Sequence, residues 1–178
     1  MLGLARAQAV LVPVLVLFGA LASTLGCDWL RRYTDMSDKC LILLRDLGGP
    51  ITDEEFPLPF PRKLYRLASK SQAPCKLPFV RDSLGHILDV YLQVDASRVG
   101  WHAGRVDELL HILHRQKDEL SACISPAKPS CFSQKLRRYY RRLTNATLNG
   151  TVSGARWELI RSETQMHLQQ LHLFVAAM

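Results

Sequence analysis

The sequence predicts an all-α protein built as a bundle of five long helices. Apolar side chains recur at spacings of three and four residues in five separate segments, which is the period of a helix with one buried face. Glycine- and proline-rich stretches separate these segments. Strict alternation of apolar and polar residues, the pattern typical of a half-buried strand, does not rise above the helical signal.

Residues 1–26 are predicted to be a cleaved secretory signal peptide. Their only charge, Arg6, precedes an apolar segment at 9–25 that ends in small residues, and this segment is short for a membrane span. Cleavage fits after Ala22 and after Gly26. We favour Gly26, and an uncleaved membrane anchor is the alternative. Residues 27–178 then form one mature, extracellular domain in which no other segment is apolar enough to cross a bilayer.

The first long helix is predicted over 27–47 and is stopped by Gly48, Gly49 and Pro50. Glycine favours the left-handed cap of a helix, and proline cannot continue one. Residues 51–78 contain five prolines and keep no period, so they are predicted to form a long ordered loop with a short helix at 61–69.

The remaining long helices are predicted over 79–94, 101–123, 131–148 and 155–177. In the last one, Trp157 lies on the apolar stripe and is predicted to be buried. A long first connection allows the first two long helices to run parallel. The sequence therefore favours an up-up-down-down bundle of the cytokine kind.

Five cysteines follow the signal peptide, and in an oxidising compartment most are expected to be paired, with one left over. They form no CxxC pair, and His111 and His114 have no further ligand near them in sequence, so no metal site is predicted. No catalytic or phosphate-binding motif is present, so the chain is predicted to be neither an enzyme nor a cofactor-binding protein. The cysteines are Cys27, Cys40, Cys75, Cys123 and Cys131.

Two sequons, at Asn145 and Asn149, predict glycosylation of an exposed segment. The net charge of +7 includes a basic run at 135–142. That run is interpreted first as a solvated helix face, and second as a footprint for a receptor or a glycosaminoglycan. Nucleic-acid binding is disfavoured, because the chain lacks an aromatic-lined groove or a recognisable reading motif.

Three stretches resemble a type I interferon of the teleost branch. Residues 27–49 are similar to the opening helix of that family, and 60–65 to the end of its first loop. Residues 155–163 are similar to the Cys-Ala-Trp-Glu signature that opens its last helix. Ala155 replaces the leading cysteine of the signature, so the bridge from that position to the first loop is not expected.

The resemblance also implies a disulfide pattern. Cys27 and Cys123 both match family cysteines, so a Cys27–Cys123 disulfide is expected. Separately from the resemblance, Cys75 in the first loop is a candidate partner for Cys131. Cys40, on the buried stripe of the first helix, remains as the free thiol.

A type I interferon is a secreted antiviral cytokine, and the resemblance implies that function here. Such a protein brings together two class II cytokine receptor chains and triggers JAK/STAT signalling. The motif alignment makes Arg161 a receptor contact on the exposed face of the last helix, so Arg161→Ala is expected to weaken receptor binding without disturbing the fold. The full set of expected receptor contacts is Arg161, Ser162, Gln165, Asp53, Glu54 and Glu55.

The alternative function is that of a secreted cationic helical protein acting on membranes or glycosaminoglycans. That function on membranes requires an amphipathic helix that is free to leave the bundle. The buried-stripe pattern in all five helices argues against it.

Overall fold

A computed structural model describes residues 27, 29–124, 130–149 and 153–178. These ranges contain seven α-helices and no strand, which confirms the all-α prediction. The predicted signal peptide lies outside the described residues. In chain order the helices are α1 (Trp29–Arg45), α2 (Arg62–Ser69), α3 (Ala73–Tyr91), α4 (Ala96–Val99), α5 (Ala103–Ala122), α6 (Ser133–Thr147) and α7 (Gly154–Ala176).

Helix α3 begins at Ala73, six residues before its predicted start at Phe79. Pro74 lies in the first turn, where a helix does not use the backbone N–H. Pro78 lies inside the helix and removes one backbone hydrogen bond. The helix persists through it because Pro78, Phe79 and Val80 are all buried in the core. Tertiary burial therefore outweighs the local preference of proline.

Helix α4 is a single turn where the sequence predicted only a break. The Asp95 side chain accepts a hydrogen bond from the Arg98 backbone N–H and caps the turn. Gly100 closes it in the left-handed conformation, with φ at 75°.

Contacts between helix ends show that α1 is antiparallel to α5 and to α7. Arg32, near the start of α1, pairs with Glu119 near the end of α5 at 3.2 Å. Near the end of α7, His172 Nδ1 lies 3.3 Å from the hydroxyl of Ser37 in the first half of α1. Near the start of α7, Arg161 donates to the carbonyl of Leu44 at the other end of α1.

Helix α3 is also antiparallel to α7. The ring centroids of Phe79 and Phe174 are 5.3 Å apart, and those of Tyr91 and Trp157 are 6.2 Å apart. Because α1 and α3 are both antiparallel to α7, they run parallel to each other. The predicted up-up-down-down bundle is confirmed. The crossover loop, which we define as residues 46–61, leads through α2 to α3, and α6 packs beside α3.

Aromatic side chains fill one end of the core. Trp157 is buried, as predicted, and packs edge-on against Trp101 with 5.9 Å between ring centroids. Tyr91 stacks on Trp101, with 6.1 Å between the ring centroids. Large rings in these arrangements contribute both buried area and a favourable ring geometry.

Two disulfides, Cys27–Cys123 and Cys75–Cys131, tie the described bundle together. They join the same cysteines that the sequence analysis paired. Cys40 is the free, buried cysteine, and its sulfur accepts a hydrogen bond from Gln116 Nε2 at 3.4 Å. Burial raises the pKa of the Cys40 thiol to about 12, so it stays protonated at neutral pH.

Candidate functional site

Helix α7 is the element around which the candidate site is built. It is the longest described helix, with 23 residues, and it packs against α1, α2, α4 and α6. Four polar side chains are buried among its apolar ones, so the polar side of this helix does not simply face solvent. They are Arg161, Glu163, Thr164 and His167.

Arg161 is fully buried, and the prediction that it is an exposed receptor contact is wrong. Its Nη2 donates to the Gly49 carbonyl at 2.5 Å, and its Nη1 donates to the Leu44 carbonyl at 3.5 Å. Carbonyls at the end of a helix lack intrahelical partners, and a cation suits the negative end of the helix dipole. Arg161 therefore supplies hydrogen-bond donors and a positive charge to the end of α1 and to the loop that follows, and these contacts account for its burial.

Glu158 completes this cluster. Its Oε2 lies 2.7 Å from Arg161 Nη2, and its Oε1 accepts a hydrogen bond from Trp101 Nε1 at 2.7 Å. The centroid of the Trp101 ring also lies 5.9 Å from the guanidinium carbon of Arg161, within the range of a cation–π contact. We call Gly48, Gly49, Trp101, Glu158 and Arg161 the loop anchor, because they fasten the start of the crossover loop to α7.

Gly48→Ala is expected to lower the free energy of unfolding by about 1 to 3 kcal/mol. A Cβ at this position would lie 2.7 Å from Trp101 Cδ1, and the indole is held in place by Glu158. Gly49→Ala is the matched control, because a Cβ there meets nothing within 4 Å. Urea unfolding of both variants checks the prediction, and equal losses of stability would contradict it.

A second buried cluster joins α2, α6 and α7. The Tyr139 hydroxyl donates to Glu163 Oε1, so its oxygen is left to accept from His167 Nε2 at 3.2 Å. His167 Nδ1 then accepts from the Tyr65 hydroxyl at 2.7 Å. We call Tyr65, His167, Tyr139 and Glu163 the buried polar chain. Burial lowers the pKa of His167, which agrees with the neutral ring that this order of donors requires.

Phe60, near the end of the crossover loop, packs on the buried polar chain. Its ring centroid lies 5.4 Å from that of Tyr65 and 4.7 Å from that of His167. Desolvation raises the pKa of Tyr65 well above its usual value, so its hydroxyl remains a donor throughout the physiological range. The far end of the loop is therefore also fastened to α7.

Tyr65→Phe is expected to cost about 1 to 3 kcal/mol of stability, because it leaves His167 Nδ1 buried without its donor while keeping the ring. Tyr140→Phe is the control, since the buried Tyr140 hydroxyl has no hydrogen-bond partner among the described residues. Thermal unfolding of the two variants checks the difference. A Tyr140→Phe variant that loses as much stability as Tyr65→Phe would count against it.

The loop anchor and the buried polar chain fasten the two ends of the crossover loop to different sides of α7. Gly49 is fixed at Arg161 and Phe60 at His167, about 9 Å further along the helix axis. The expected receptor contacts Asp53, Glu54 and Glu55 lie on the loop between these points and are exposed, while Ser162 and Gln165 of α7 are partly exposed. Arg161 is a positioning residue for this loop, because it holds the Gly49 carbonyl from α7.

The described residues gather no group of three side chains able to hold a metal ion. His111 and His114 are both exposed on α5, and His114 Nδ1 lies 2.9 Å from Asp118 Oδ2. None of the described helices is long and apolar enough to span a bilayer.

Comparison with known proteins decides the family. A family model described as the interferon alpha/beta domain matches residues 30–178. The chain belongs to the interferon alpha/beta family. This interferon is 36% identical over 155 residues to interferon a3 of Oncorhynchus mykiss, covering 85% of this chain and 86% of the relative.

The interferon also matches a solved fish structure and a human relative. Zebrafish interferon 1 matches it with a TM-score of 0.75 and 29% sequence identity, covering 85% of this chain and 99% of the other. Human interferon alpha-7 is 24% identical to it over 174 residues, which is 90% of each chain. The protein is therefore a teleost-like type I interferon, a cytokine of the antiviral class and not an enzyme.

Proposed function

We propose that this interferon is secreted after removal of residues 1–26 and bridges two class II cytokine receptor chains, which triggers JAK/STAT signalling. The observation that carries the proposal is the crossover loop, fastened at both ends to α7 in a family of cytokines. A ligand that holds two receptor chains needs surfaces that do not yield on binding, because ordering a flexible loop would cost affinity.

One receptor chain is proposed to contact Asp53, Glu54 and Glu55 together with Ser162 and Gln165. The three acidic side chains are exposed on a chain whose net charge is +7, so they form a local region of opposite charge. Such a region selects a receptor surface that carries basic side chains, and it acts mainly on the association rate.

Reversing two loop charges, Asp53→Lys with Glu55→Lys, is expected to weaken binding to one receptor ectodomain by at least about tenfold. Reporter activity in cells that express defined receptor pairs should fall in parallel, while helicity stays unchanged. The control variant carries Asp107→Lys and Asp118→Lys, which make the same charge change on exposed sites of α5. The proposal is overturned if the loop variant binds both receptor chains as the wild type does.

We further propose that Asn145 and Asn149 carry N-linked glycans. Both side chains are exposed, at the end of α6 and just beyond it. Endoglycosidase treatment of the secreted protein should lower its mass, and Asn145→Gln and Asn149→Gln should each remove one step of that change. We do not propose the membrane-acting alternative, because α6, a strongly basic helix, buries Leu136, Tyr140 and Leu143 in the bundle.

A further inference from the structure

A basic groove of about 380 Å³ runs between α2 and α6. Its apolar lining includes Leu64, which is buried, and Leu67, which is 42% exposed. Four cationic side chains line it, one from α2 and three from α6. They are Lys63, Lys135, Arg138 and Arg142.

The positive charge of the basic groove is not neutralised within the described protein. None of its four cations makes an ion pair with another described residue, and neither α2 nor α6 contains an aspartate or a glutamate. Two cations of α1 differ in this respect, since Arg32 pairs with Glu119 of α5 and Lys39 pairs with Glu108 of α5. A cleft lined by charges of one sign concentrates counter-ions and oppositely charged ligands.

The three cations from α6 are arranged along a line, and Lys63 faces them from α2. Lys135, Arg138 and Arg142 lie on successive turns of α6 and span about 10 Å of the helix axis. Arg137 of the same basic run lines a different cavity, bordered by Asp82 and Asp89 of α3. The run at 135–142 is therefore not one uniform solvated face, and only part of it belongs to the groove.

We propose that the basic groove binds a sulfated glycosaminoglycan chain. A linear polymer with repeating sulfates matches a line of cations, and the guanidinium groups of Arg138 and Arg142 present forks of donors to oxyanions. The exposed side chain of Leu67, which also lines the groove, offers an apolar surface for the faces of sugar rings. A concave groove also suits a chain better than a flat bilayer, which needs apolar side chains that protrude.

The inference rests on the proposed secretion, because sulfated polysaccharides lie outside the cell. It does not depend on the receptor contacts, since the groove is cationic and Asp53, Glu54 and Glu55 are anionic. An interferon held in this way would be retained near its site of release while its acidic loop remained free to meet a receptor.

The test compares the mature wild type with the variant Arg138→Glu/Arg142→Glu on immobilised heparin at about 0.15 M salt. The groove variant is expected to bind at least about tenfold more weakly and to elute at lower salt, because polyanion binding depends on contacts that release counter-ions. The control, Arg137→Glu/Arg141→Glu, makes the same charge change on the same helix. It is expected to change affinity less than about threefold. Equal losses in the two variants overturn the groove as the site.

Two further measurements keep the result interpretable. Lys63→Glu alters the opposite wall on α2 and should also weaken heparin binding, even if substitutions in α6 disturb that helix. Vesicles containing phosphatidylserine should bind the wild type more weakly than heparin does, and equal or tighter binding overturns the sulfated ligand in favour of a lipid surface.

A reporter assay on receptor-bearing cells that lack sulfated glycosaminoglycans separates this inference from the proposed function. The variant Arg138→Glu/Arg142→Glu should signal there as the wild type does. Loss of its signal on such cells would make the groove a receptor surface and overturn the glycosaminoglycan assignment. A wild type that binds heparin but activates no receptor pair would overturn the proposed function alone.

Discussion

Arg161→Ala is expected to lower the free energy of unfolding by about 3 to 5 kcal/mol, the range for breaking a buried charge pair. The substitution removes the only partner that the described structure shows for the Gly49 carbonyl, and it leaves Glu158 with Trp101 alone. It also opens a cavity where a fully buried side chain was. Urea unfolding followed by circular dichroism measures the loss.

Receptor binding by Arg161→Ala should fall as well, through a loop that is no longer held rather than through a lost contact. Arg141→Ala is the control, an exposed arginine of α6 that makes no ion pair with the described residues, and it should change stability by less than about 0.5 kcal/mol. A stable Arg161→Ala protein that has lost only receptor affinity would restore the direct-contact interpretation and contradict the loop anchor.

Removing the Cys27–Cys123 disulfide is expected to cost about 4 to 5 kcal/mol. The bridge spans 96 residues of sequence and joins the start of α1 to the end of α5. On the chain-entropy account, closing so long a loop restricts the unfolded chain strongly. The double variant Cys27→Ser/Cys123→Ser should show this loss in thermal and urea unfolding without leaving a reactive thiol behind.

The second bridge offers a comparison. Cys75→Ser/Cys131→Ser opens a loop of 56 residues, so its expected cost of about 4 kcal/mol is slightly smaller. Cys40→Ala controls for cysteine removal itself, since Cys40 makes no disulfide, and it should cost less than either double variant. A Cys27→Ser/Cys123→Ser protein as stable as the wild type would contradict the stabilising role of the first bridge.

The helices themselves could be predicted because each has a local signature. Gly48, Gly49 and Pro50 mark the region where α1 stops, and the helix ends at Arg45. Neither glycine takes the left-handed conformation that the sequence analysis expected, because both are held by tertiary contacts with Trp101 and Arg161. Trp157 could be placed in the core because its helix repeats apolar residues every three to four positions. The exceptions are the start of α3 and the turn α4. Helix α3 begins before Pro78 because burial of Phe79 and its neighbours stabilises the helix there. The turn α4 is too short to show a helical period.

The candidate site was only partly predictable. Asp53, Glu54 and Glu55 are exposed, as acidic residues on a loop usually are. Glu163 and His167 were not recognised, although their spacing of four residues places them on one side of a helix. Their partners Tyr65 and Tyr139 come from helices distant in sequence, so no local pattern could connect them.

The sequence by itself determined the five long helices and roughly where each stops, because capping and periodicity act over a few residues. The resemblance of its motifs indicated the family and the Cys27–Cys123 pair. Only the tertiary structure decided that Arg161 faces inward. A polar side chain is assigned to solvent by default, but α7 is covered on several sides, and a buried guanidinium is stable where distant carbonyls and a carboxylate converge on it.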